Sequence, residues 1–109
     1  MSQPLAWMLL VVAGFLDVFW AMSMKYAQGY TKPGWSLISL LLLAAFVYLL
    51  GRVLEVLPVG TAYAVWTGIG AAGTVVVGVL LFGETLGGLK LGGIALIVLG
   101  IVALKFAPS

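Results

Sequence analysis

Four apolar stretches, each about as long as a bilayer is thick, take up nearly the whole chain and leave only short breaks between them. They run near 5–25, 35–55, 59–82 and 88–106. A helix needs roughly 20 apolar residues to cross about 30 Å of hydrocarbon. Period-two alternation is missing from all four, so lipid-spanning strands are not expected. A helix also satisfies its own backbone polar groups where no water can. The breaks carry turn formers and charges: Gln28, Gly29, Lys32, Pro33 and Gly34, then Pro58 and Gly60, then Gly83, Glu84, Gly87 and Gly88. The expectation is an all-α integral membrane fold, one domain of four transmembrane helices over residues 1–109.

Composition agrees with a lipid environment. Hydrophobic residues make up 64% of the chain and charged ones 7%, against about a quarter charged in ordinary soluble chains. The net charge of +2 is small and scattered, which argues against a nucleic-acid partner. Cys and His are both absent, which removes disulfides, thiolate metal sites and the usual neutral-pH base. No nucleophile–base pair or phosphate-binding loop stands out, so neither an enzyme nor a metal or cofactor is expected. The first stretch has no basic residue ahead of it and carries Asp17 within it, unlike a cleaved signal peptide.

Topology is evenly balanced. With four spans, Arg52 and Lys105 fall on one side of the membrane and Lys25, Lys32 and Lys90 on the other. Two against three gives the positive-inside rule little to act on. Either the chain is weakly biased to one orientation, or it inserts both ways and pairs with an inverted copy of itself.

Asp17 demands an explanation. It lies about 18 Å along a helix from Leu5, near the middle of the first span. A mid-membrane Asp costs about 2.5–3.5 kcal/mol on insertion scales. No basic residue occupies the middle of another span. One reading is a protonated side chain that hydrogen-bonds between helices. The other is a carboxylate facing a water-filled cavity, where it binds a proton or a cation. Ala13, Gly14 and Ala21 share its face and leave room for a ligand or an approaching helix. Trp20, three residues on, would wall the site. Burial disfavours the charged form of a carboxylate, and a group poised between forms can give up a proton to accept an organic cation. That exchange is the minimal chemistry of proton-coupled antiport.

The third span opens on Pro58-Val59-Gly60-Thr61-Ala62-Tyr63-Ala64-Val65-Trp66-Thr67-Gly68-Ile69-Gly70. Gly60, Ala64 and Gly68 form a small-residue face suited to close packing, with Tyr63, Trp66 and Gly70 on another. Trp7, Tyr26, Tyr30 and Trp35 fit an interfacial aromatic belt. Trp66 sits two turns inside its span and suits a delocalised cation through its ring face. Glycines at 68, 70 and 73 would let this helix bend. In the fourth span Gly93 and Gly100 return to one stripe at a spacing of seven, which points to packing and dimerisation. Arg52, Glu55, Glu84, Lys32 and Lys90 read as solvated charges at helix ends.

These residues resemble the small multidrug resistance transporters along the whole chain, most closely the guanidinium-exporter branch. The resemblance rests on Trp20, Lys25-Tyr26, Gly29, the run from Leu57 to Gly70, Leu104-Lys105, and the fourth-span run from Gly93 to Ile101. It implies an antiparallel, dual-topology homodimer in a bacterial inner membrane, or a heterodimer with a paralogue. It also implies two central carboxylates shared between protons and a small organic cation in alternating access. By position, Asp17 takes the carboxylate role, Trp20, Tyr63 and Trp66 line the site, and Gly93 and Gly100 pack the dimer. Two positions depart from the family pattern. The family carboxylate is Glu where this chain has Asp17, one methylene shorter. The family's second-helix Ser falls at Phe46, which replaces a hydroxyl partner with an apolar ring and reshapes the pocket. The reading is a proton-coupled exporter of guanidinium or a related guanidino or amino cation. An exporter of larger quaternary ammonium compounds and a non-transporting membrane subunit stand as alternatives.

Overall fold

A computed structural model describes residues 1–107. It contains four helices: α1 (Gln3–Ala27), α2 (Pro33–Val53), α3 (Val59–Leu81) and α4 (Gly88–Phe106). All four are long and apolar enough to cross a membrane. Their boundaries follow from local chemistry. Ser2 caps α1, its hydroxyl accepting from the Leu5 N–H at 3.3 Å. The helix ends on Gln28, whose backbone is left-handed with φ of 50°. Lys25 lies in the last turn of α1, where the helix dipole favours a cation. Pro33 and Pro58 open the next two helices, where a missing N–H costs nothing.

The loop between α1 and α2 is tightly wound. Gln28, Gly29 and Tyr30 all have positive φ, and the Tyr30 hydroxyl reaches the fully buried Ser39 hydroxyl at 3.1 Å. Tyr26 stacks on Trp35 at the same end, 4.8 Å between ring centroids. At the α3–α4 turn, the Glu84 N–H donates to the Gly78 carbonyl at 3.1 Å, and Lys90 lies 3.8 Å from the Glu84 carboxylate. Arg52 pairs with Glu55 at 3.6 Å. Four of the five charges expected to be solvated at helix ends are paired there and remain exposed.

The helices lie in a row: α2 against α1, α1 against α3, α3 against α4. The Cα extents of 43 × 34 × 17 Å describe a slab, wide and tall but thin. Its apolar core sits at one end, where Ala6, Leu10, Val53, Ala62 and Val65 of the first three helices pack together with Leu57 of the α2–α3 turn. No residue of α4 is buried.

Three glycines of α3 bring it close to its neighbours. The helix is continuous from Val59 to Leu81, and Gly68, Gly70 and Gly73 each admit a neighbour. A Cβ at Gly68 would meet Ile101 and Ile97 of α4 at 3.1–3.3 Å, and one at Gly73 would meet Val18 at 2.6 Å. Membrane helices gain little from apolar burial against lipid, so close backbone approach through small residues is what holds them together. On α1 the room left at Gly14 is taken by a helix rather than a ligand, since a Cβ there would lie 2.5 Å from Ile69.

Candidate functional site

Asp17 projects from the middle of α1 and is partly buried. Its carboxylate rests on Gly70 of α3: a Cβ added at Gly70 would lie 3.0 Å from Cγ and collide with Oδ2. Only a residue without a side chain leaves that seat open. Among the described residues no ion pair reaches Asp17. No three His, Cys, Asp or Glu side chains gather among them either.

Beside it runs a row of rings drawn from three helices. Trp20 of α1 lies 5.4 Å from Phe46 of α2, Phe46 lies 5.4 Å from Trp66 of α3, and Tyr63 meets Trp66 edge-on at 5.5 Å. These separations suit attractive aromatic contact. Trp20 is one turn beyond Asp17 on α1, and Trp66 is one turn before Gly70 on α3, so the row adjoins the carboxylate seat.

Phe46 occupies the centre of the row and is 2% exposed. Its apolar ring offers the flanking indoles no hydrogen-bond acceptor. The Nε1–H groups of Trp20 and Trp66 are both buried without a hydrogen-bond partner among the described residues. Each such donor costs about 1–3 kcal/mol until an acceptor meets it. The site is thus a carboxylate, an aromatic wall and two donors in need of acceptors. Tyr63 stays 59% exposed at the open end of the row.

Five residues singled out in the sequence, Asp17, Trp20, Phe46, Tyr63 and Trp66, come together on one part of the slab. Gly93 and Gly100 do not join them. They lie on α4, and a Cβ at either would meet nothing within 4 Å. The seat at Gly70 is the feature that sequence reasoning missed as a functional element. Its signal was a glycine one turn after Trp66, on the same face as that ring.

The arrangement suits a flat organic cation. A carboxylate accepts two parallel N–H bonds from a guanidinium-like group, and the rings offer their faces to its delocalised charge. A model of the family described as Small Multidrug Resistance protein matches residues 5–97. The chain belongs to this family. Within the small multidrug resistance family, it is 47% identical over 103 residues to a protein named guanidinium exporter from Yersinia pseudotuberculosis, covering 94% of this chain and 99% of that one. The guanidinium exporter of Escherichia coli is 45% identical over the same length, with 98% of the relative covered. That of Citrobacter freundii is 43% identical, again with 98% covered. This small multidrug resistance protein is therefore a multi-pass membrane transporter with exporter relatives along nearly its full length.

Proposed function

We propose that the chain is a proton-coupled antiporter that exports guanidinium or a related small guanidino or amino cation across a bacterial inner membrane. The observation that carries this reading is the Asp17 carboxylate, seated on Gly70 beside the Trp20–Phe46–Trp66–Tyr63 row. Proton and cation compete for the same carboxylate, so one must leave before the other binds. Guanidinium is planar, delocalised and weakly hydrated, which lowers the cost of bringing it to such a site. A ring face adds about 0.5–2 kcal/mol of attraction. The names of the relatives support the substrate class.

The same reading requires a dimer. A row of helices only 17 Å thick has no interior, and the Asp17 site lies on a slab rather than in a chamber. Two slabs laid face to face enclose a cavity with two carboxylates. The near balance of basic residues between the two membrane faces supports an antiparallel pair of identical chains. In that pair, Gly93 and Gly100 give α4 a close-packing stripe for its counterpart. Substituting Leu for Gly93 or Gly100 is expected to shift the population toward monomer in a dilution series in bilayer or detergent. Unchanged dimer fractions in both variants would remove the stripe from the interface.

Phe46 favours one second reading, an exporter of larger and more apolar ammonium compounds. A ring in place of a hydroxyl makes the pocket's second-helix wall apolar. The test is reconstitution in liposomes with a pH-sensitive dye inside. Proton movement driven by a guanidinium gradient is the expected result. Movement with tetra-alkylammonium compounds alone replaces guanidinium by the second reading. No movement with either class overturns transport by this chain on its own and directs attention to a paralogous partner.

A further inference from the structure

On the far side of α1 from Asp17 lies a second feature that the transport site does not use. A groove of about 880 Å³ opens between the start of α1, the start of α3 and the end of α4, lined by Trp7, Met8, Val12, Ile69 and Val102 with Lys105 at its mouth. At roughly 100° per residue, Met8 and Val12 fall on the opposite face of α1 from Asp17. Lys105 lies roughly 140° around α4 from Gly100, away from the proposed dimer stripe.

We propose that this groove is a binding site for an anionic phospholipid, an acyl chain lying in the trough and the phosphate at Lys105. Three observations converge on that occupant. The walls are apolar and lie within the membrane-spanning helices, so the medium that fills them is hydrocarbon. The mouth is at the end of the spans, where a headgroup resides, and carries the two side chains typical of that depth. Lys105 Nζ stands 5.7 Å from the centroid of the Trp7 ring. The charge is of one sign: among the described residues no carboxylate lines the groove, and the ion pairs among them are Arg52–Glu55 and Lys90–Glu84, neither of which engages Lys105. A lysine held over an indole at a hydrocarbon trough has an attraction for phosphate that no acidic side chain of the groove offsets. From Pro4 to Val12 the α1 wall is about 12 Å long, enough to order a substantial part of one acyl chain.

The site stands independently of which cation is transported. Its test is native mass spectrometry of the full-length protein, released from detergent with phosphatidylglycerol or phosphatidylcholine of identical chains at equal concentration. Phosphatidylglycerol is expected to be retained about fivefold more than phosphatidylcholine, the preference ascribed to one lysine near an anionic headgroup. Lys105→Gln removes that preference and leaves phosphatidylcholine retention as it was. Val12→Trp, which fills the trough, lowers retention of both lipids with the dimer intact. Equal retention of the two lipids by the wild-type protein overturns the proposal, as does a preference that survives Lys105→Gln. Loss of bound phosphatidylglycerol to excess inorganic phosphate assigns Lys105 to a bare anion site instead. Loss of the dimer in Val12→Trp assigns the groove to a second copy of the chain.

Discussion

Asp17→Asn is expected to reduce guanidinium-driven proton movement in liposomes to the level of protein-free vesicles, while the protein still inserts and purifies as the wild type does. Asn matches Asp in size and can keep hydrogen bonds to neighbouring groups. What it lacks is the capacity to bind and release a proton, and the negative charge that holds a cation. Charge-assisted hydrogen bonds contribute about 1.5–3 kcal/mol each, so cation affinity alone should fall by about tenfold or more. Coupling should vanish altogether, because among the described residues no other carboxylate lies inside a span: Glu55 and Glu84 sit in the turns beyond α2 and α3. Stability should not suffer. A mid-membrane Asp costs about 2.5–3.5 kcal/mol to insert, and the neutral amide relieves part of that cost. Residual coupled transport in Asp17→Asn would mean that protons travel by a route other than this carboxylate.

The parts of the molecule that were readable from the sequence are those set by local properties. An apolar run of about 20 residues declares a span whatever surrounds it, and the four helices follow from that rule. Asp17 was conspicuous for the same reason, since its cost depends on depth alone. Phe46 was placed by counting from Gly29 and Pro58, and it does stand between Trp20 and Trp66. What could not be read depends on which helices touch. The helix order α2–α1–α3–α4 and the thinness of the slab are tertiary properties. That Gly68, Gly70 and Gly73 of α3 each admit a neighbour could not be read either, because a glycine's value as a contact belongs to the helix opposite. The pairing of Tyr30 with Ser39 was hidden similarly. It needs three consecutive left-handed residues, and a belt tyrosine gives no sign of such a turn.

Gly70→Ala should disable transport more than any other single added methyl group, and a matched variant shows why. The added carbon would collide with the Asp17 carboxylate, so the side chain must turn away or α1 and α3 must separate. Overpacking of this kind costs about 1–3 kcal/mol in stability. A packing defect by itself would also damage transport, and Gly73→Ala isolates that contribution. Its Cβ would meet Val18 at 2.6 Å across the same α1–α3 contact, against an apolar side chain instead of the carboxylate. Both variants should lose similar thermal stability. Only Gly70→Ala should lose cation affinity, by about tenfold or more, because a displaced carboxylate forfeits charge-assisted bonds worth about 1.5–3 kcal/mol. Isothermal titration with guanidinium beside thermal melting of both proteins separates the two effects. Equal losses of affinity would make the α1–α3 contact, and not the carboxylate seat, the element that transport depends on. Unchanged affinity in Gly70→Ala would show that Asp17 binds cation from a position other than the one it holds against α3.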